Sequence, residues 1–217
     1  MSTSAQTDRV VHDGLPPVDQ LPLLKFDMPD MQFPDQVNLV QRLFDRADAN
    51  GNSQRPFLRS PRITFSYGEA HERVNRIANF LIQDCGLVPG NRVLLRGGNS
   101  IGMALCWLAV VKAGLIAVAT MPLLRARELG DIIDKAQPVF ALCDAKLQEE
   151  LLLAQRAQPQ AAHDDGDPAR VRLERIVFFN SADDPQDLGA LCASKSAAFT
   201  ACPMAATDIA LMAFTSG

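Results

Sequence analysis

No stretch of this 217-residue chain gathers lysine and arginine into a run, and its formal net charge is −4 with a pI near 5.4. Without a basic face to hold a phosphate backbone, nucleic-acid binding is not expected. Histidine is scarce: His12, His71 and His163 stand far apart in no ligand spacing, so no metal site is expected either. Cysteine is present but unpaired in pattern. Cys85, Cys106, Cys143, Cys192 and Cys202 form no C-x-x-C pair, and their odd number points to reduced, structural thiols in a cytoplasmic protein. Met1 to Asp13 has no apolar core and does not read as a signal peptide. Long apolar runs are likewise few. Ile101 to Met121 could cross a bilayer by length, but Lys112 near its centre would cost roughly 2.5–3.5 kcal/mol on insertion. Gly114 also divides the run into a helix-length piece and a β-rich one, so a buried helix followed by a buried strand is expected, and no membrane partner. What is present, 47% hydrophobic and 21% charged residues, suits an ordinary globular domain.

Read in order, residues 1–35 are rich in proline, with no clear periodicity, and predict an extended arm over the surface. Residues 36–217 predict the domain. Val37, Val40, Leu43, Phe44 and Ala47 mark a helix over 37–49, and two short runs between Pro56 and Phe65 mark a hairpin. Ser66-Tyr-Gly-Glu69 is a capping box opening the next helix, in whose first turns His71 reads as a solvated side chain. From there strands at 92–96, 115–120, 139–143, 175–179 and 208–214 alternate with helices near 101–113, 127–136 and 145–156, and a short helix near 187–193. Such alternation predicts an α/β fold with a largely parallel sheet flanked by helices on both faces. Residues 158–170, around Ala162-His-Asp-Asp-Gly-Asp167, have loop composition, and His163 with Asp164 and Asp165 reads as a solvated loop rather than a metal cluster.

Two stretches invite a chemical reading. Gly98-Asn-Ser-Ile-Gly102 matches G-x-S-x-G after a strand and before a helix, the context of a hydrolase nucleophile elbow, and Asp144 and His163 follow in the order Ser, Asp, His. Against it, only a hairpin precedes the strand, His163 lies in a loop, and no oxyanion-hole segment lies upstream. Ser100 or Asn99 as the cap of helix 101–113 accounts for the same residues. The second stretch is Asp208-Ile-Ala-Leu-Met-Ala-Phe-Thr-Ser-Gly217. Its apolar run, Ile209 to Phe214, predicts a buried strand that delivers two hydroxyls and a flexible backbone at its carboxyl end, where open α/β sheets bind ligands. A phosphate-binding loop would fit there, but it needs more successive N–H groups than Thr215, Ser216 and Gly217 supply.

Gly90-Asn-Arg-Val-Leu-Leu-Arg-Gly97, Cys106-Trp-Leu-Ala-Val-Val-Lys-Ala-Gly114, Thr120-Met-Pro-Leu-Leu-Arg-Ala-Arg-Glu-Leu129 and Asp208 to Gly217 together resemble the adenylate-forming acyl-CoA synthetases. The Ala119-Thr-Met-Pro-Leu-Leu-Arg-Ala-Arg-Glu128 segment is most similar to benzoate- and aminobenzoate-CoA ligases. The resemblance implies the N-terminal subdomain of an AMP-binding domain. It also implies a small carboxylic acid as substrate, with ATP, Mg²⁺ and coenzyme A as cofactors. It implies that Thr215, Ser216 and Gly217 open the nucleotide loop, and that the catalytic residues and the magnesium-binding glutamate lie downstream of Gly217. On that reading residues 1–217 are the front of a larger enzyme, cut inside its phosphate loop and inactive alone. A serine hydrolase and a non-catalytic α/β module remain the alternatives.

Overall fold

In this computed structural model, residues 4–214 are described, except 24, 26, 30–31, 159–171 and 182–183. The loop expected over 158–170 and the three residues Thr215, Ser216 and Gly217 therefore fall, almost entirely, outside the described residues. The arm includes one helical turn, α1 (Val10–Asp13), that the sequence pattern did not indicate. Asp8 explains it: its Oδ1 accepts from Val10 N at 3.1 Å, while Arg9 and Asp13 pair across the turn at 3.4 Å. Helix α2 (Leu39–Ala49) starts two residues later than its apolar pattern, because Asn38 caps it by accepting from the Val40 and Gln41 amides. The hairpin is β1 (Pro56–Arg59) against β2 (Thr64–Ser66), antiparallel. Helix α3 (Tyr67–Asn79) opens on the expected capping box: Glu69 N donates to Ser66 Oγ at 3.2 Å, and Ser66 N donates to Glu69 Oε2 at 2.8 Å. It runs on into a π-helical turn, Phe80–Asp84.

The α/β alternation follows as β3 (Arg92–Arg96), α4 (Ile101–Lys112), β4 (Ile116–Thr120), α5 (Ala126–Ala136), β5 (Phe140–Asp144), α6 (Gln148–Ala157), β6 (Arg175–Phe179), α7 (Leu188–Cys192) and β7 (Leu211–Met212). The five strands from β3 onward form one sheet in the order β6-β5-β3-β4-β7, and every pairing is parallel. Along β3 the side chains alternate. Val93 and Leu95 join a core with Val40, Phe44, Val74, Ile77 and Leu105, on the side of α2, α3, α4 and α7. Leu94 turns the other way, to Leu129, Ile133 and Leu151 of α5 and α6. Both faces are covered, which is why these strands read as continuous apolar runs. The apolar stretch from Ile101 divides as expected: α4 ends at Lys112, and Gly114 takes φ +77 to turn into β4. No helix among the described residues is long and apolar enough to cross a membrane.

The last strand departs from expectation. Of the run 208–214 only Leu211 and Met212 pair, and Leu211 is 46% exposed. The same apolar composition served two different environments: β7 is at the sheet edge, with β4 on one side only. It is not a buried central strand.

Candidate functional site

The carboxyl edge of the sheet is built by three turns. After β3, Gly97-Gly98-Asn99 leads to Ser100, whose Oγ accepts from Met103 N at 3.2 Å and caps α4. After β5, Asp144 Oδ1 accepts from Lys146 N at 3.0 Å and its Oδ2 accepts from Asn180 Nδ2 at 2.6 Å. After β6, Asn180 takes φ 62 to reach that carboxylate. Gly102 makes the approach possible, because a Cβ there would stand 2.7 Å from Asn180 Oδ1 and 3.0 Å from the Phe179 ring. The G-x-S-x-G segment is thus explained by packing and capping. Ser100 caps its helix and Asp144 ties down Asn180; His163, the third residue of that reading, lies outside the described residues.

The turn after β4 is organised by Arg96, which is 1% exposed. Its guanidinium donates to Met121 O at 3.2 Å, Pro122 O at 3.2 Å, Leu124 O at 2.9 Å and, across the sheet edge, Leu147 O at 3.1 Å. Burial lowers its pKa from the ordinary value. Beside it Glu150 accepts from Arg125 Nη1 at 2.9 Å and from Ala126 N at 2.7 Å. The Arg125 hydrogen bond, then that of Ala126, hold the Glu150 carboxyl below its usual range. These residues, with Lys146, line a cleft of about 230 Å³ whose cations outnumber its two glutamates. Three of its donors, however, are already used: Arg96 on carbonyls, and Arg125 and the first α5 amide on Glu150. The described edge therefore does not by itself supply the N–H groups a triphosphate needs. Thr215, Ser216 and Gly217, expected to open a phosphate loop, lie outside the described residues. The strand before them runs parallel to β4, with Ala117 opposite Leu211 and Val118 opposite Met212, so the two chains leave the sheet side by side. Among the described residues no group of three or more His, Cys, Asp or Glu is placed to hold a metal.

One polar cluster was missed by sequence reasoning. Lys112, wholly buried, places Nζ 2.6 Å from His71 Nε2 and 2.6 Å from Asn75 Oδ1. His71 is half-buried rather than fully solvated, and its ring stacks on Phe44 at 4.3 Å. Burial pulls Lys112 down to about 8, and burial followed by the Lys112 charge lowers His71. The signal was available, since His71 is four residues from Tyr67 and three from Val74, on the apolar stripe of α3. All five cysteines are free, and burial pushes Cys143 and Cys192 up to about 12 and Cys85 to about 11, as inert thiols should be.

Three comparisons bear on what this edge does. A family model described as AMP-binding enzyme matches residues 44–217. The salicyl-AMP ligase / salicyl-S-ArCP synthetase of Mycobacterium tuberculosis is 42% identical over 65 residues, covering 30% of this chain and 11% of that protein. Among solved structures, an anthranilate CoA ligase in complex with anthranoyl-AMP superimposes with TM-score 0.69 at 17% identity, covering 88% of this chain and 33% of that one. MatB from Rhodopseudomonas palustris gives TM-score 0.66 at 25% identity, covering 83% of this chain and 32% of that one. The chain thus spans about a third of the length of these solved structures.

Proposed function

The chain belongs to the AMP-binding enzyme family, and from that premise we propose that it is the N-terminal portion of an ATP-dependent acid–CoA ligase. In this reading residues 36–217 are part of an adenylation domain, and Thr215, Ser216 and Gly217 open its phosphate loop. The observation that carries it is the family match running through β7 to Gly217, on a sheet whose carboxyl edge is where α/β folds bind nucleotides. The reaction would join a carboxylate to AMP, releasing pyrophosphate, and then pass the acyl group to the thiol of coenzyme A. ATP with Mg²⁺ supplies the activating nucleotide, since adenylation turns a poor leaving group into a good one. In this reading the 217 residues contribute a loop after β4 fixed by Arg96, beside the strand that precedes Thr215, Ser216 and Gly217.

We place the substrate among aryl acids such as benzoate and 2-aminobenzoate. The support is the Ala119–Glu128 segment and the similarity to a salicyl-AMP ligase. The cytoplasm is the proposed location. Residues 1–217 alone are proposed to be inactive, because losing a single preorganised donor commonly costs 10²–10³ in rate, and few such donors are present here.

ATP–pyrophosphate exchange, with benzoate and with 2-aminobenzoate, tests all of this on residues 1–217 and on the longer reading frame. Exchange is expected only in the longer protein, and most of it should go when Thr215 and Ser216 are both replaced by alanine. Exchange by residues 1–217 alone would overturn the inactivity. Activity confined to straight-chain acids would remove the aryl assignment and leave the ligase.

A further inference from the structure

The segment leading into β7 is held from two sides, by the sheet, where Ala117 N donates to Ala210 O at 3.0 Å, and by the N-terminal arm. Gln6 is 3% exposed. Its Nε2 donates to Ile209 O at 2.7 Å and its Oε1 accepts from Ile209 N at 3.3 Å, so one side-chain amide satisfies both backbone groups of a single residue, as a neighbouring strand would. Ala5 N donates to Asp208 Oδ2 at 3.2 Å, the same oxygen that accepts from Ala205 N at 2.9 Å. The other side of the arm is anchored to the turn before β3. The Thr7 and Asp8 amides both donate to Pro89 O at 3.0 Å, and Asp8 Oδ2 accepts from Asn91 Nδ2 at 2.7 Å and pairs with the buried Arg92. The fit is close: Gly90 sits at φ +93, and a Cβ there would lie 2.2 Å from Asp8 O.

We propose that residues Ala5–Asp8 are a strap, with Gln6 as a positioning residue, that fixes β7, the strand that in our reading leads into the nucleotide loop, against β4. Its functional consequence rests on the reading of Thr215, Ser216 and Gly217 as phosphate contacts; the strap itself does not. The physical case is a comparison of supports. β7 pairs through two residues on one side, whereas the strap adds two hydrogen bonds at Ile209, one at Asp208 and an ion pair that ties the whole to β3.

Gln6→Met keeps the side chain's length while removing both hydrogen bonds to Ile209 and the 2.9 Å contact of its Oε1 with His12 Nε2. Amide hydrogen exchange then reads the result at Leu211 and Met212, beyond the hydrogen-bonded Ile209. Their exchange is expected to accelerate roughly tenfold, the net worth of one to two neutral hydrogen bonds, with Leu94 in β3 and Leu142 in β5 unchanged. Unaltered exchange at Leu211 and Met212 would overturn the strap. Should the variant be destabilised throughout, the wild-type chain decides in low urea. Thr7, Asp8, Leu211 and Met212 should then share one opening reaction, and separate openings would equally overturn it. In the longer protein, Gln6→Met should raise KM for ATP about tenfold and leave KM for the acid in place. Faster exchange with an unchanged KM for ATP would keep the strap and sink the phosphate role of the residues after β7.

Discussion

Nζ of the buried Lys112 lies 2.6 Å from Nε2 of the half-buried His71, among α2, α3 and α4. An ammonium donating to an imidazole nitrogen requires that imidazole to be neutral. The pair therefore holds one proton where the unfolded chain, with each group at its ordinary value, would carry a charge on both below pH 6.5.

Stability should report this with a definite sign. Lys112 drops from 10.5 to about 8 in the fold, so between about pH 8 and 10.5 the unfolded chain holds the extra proton and this group makes the protein more stable as pH rises. His71 is also lowered, against the opposing pull of Asp45, Asp48 and Glu72. As pH falls below 6.5 the unfolded chain takes up a proton that the folded one resists, and stability declines. Urea midpoints measured from pH 5 to 10 on wild type and Lys112→Met check it. The wild type should gain on the variant above pH 8, and a constant difference would show that Lys112 keeps its ordinary titration.

Two glycines in helices should answer alanine with opposite signs. Gly130 in α5 meets nothing within 4 Å of a built Cβ, so Gly130→Ala should stabilise by about 1 kcal/mol through helix propensity. Gly102 faces Asn180 at 2.7 Å, and Asn180 cannot swing away because Asp144 holds it. Gly102→Ala should cost about 1–3 kcal/mol by overpacking. Chemical denaturation of both variants, and of Gly102→Ala combined with Asn180→Gly, measures this; recovery in the double variant is expected.

Ser100→Ala should lower stability by about 0.5–2 kcal/mol through loss of the α4 cap. A fluorophosphonate probe should label neither wild type nor variant. Labelling of the wild type that the variant abolishes would restore the serine-hydrolase reading.

Arg96 is the donor to four backbone carbonyls. Arg96→Lys keeps the charge but cannot reproduce the planar fork, and several carbonyls would be left without a partner. A loss of about 2–3 kcal/mol is expected, together with new protease cleavage between Met121 and Arg125. Retained protection of that turn would mean that its shape comes from Pro122 and from Glu150 at α5 rather than from Arg96.

The parts of the fold legible in the sequence were those fixed by local chemistry. Ser66 and Glu69 announce a helix start because the capping box spans only four residues, and β3 and β6 stand between turn signals. β7 was misread because Ile209 to Phe214 is as apolar as β3, and position at a sheet edge is a property of the whole topology rather than of six residues. The two arginines that bound β3 look like ordinary flanking charges. Only the assembled turns show that Arg92 and Arg96 are both buried, one against Asp8 and the other on carbonyls. His71 carried a periodic signal that could have been used. The proposed phosphate contacts were legible only as a Thr-Ser-Gly at the end of an apolar run, and Thr215, Ser216 and Gly217 lie outside the described residues.

The contact between Ala5 and Asp208 also has a meaning in time. It joins residues 203 apart in sequence, so closing it has about the largest loop entropy available to this chain, and it should form late in folding. During synthesis Ala5 and Gln6 must wait for Asp208 and Ile209 to be made, whereas Thr7 and Asp8 can dock on Pro89 and Arg92 much earlier. A nascent chain released before β7 has emerged would carry an amino-terminal segment anchored on one side only.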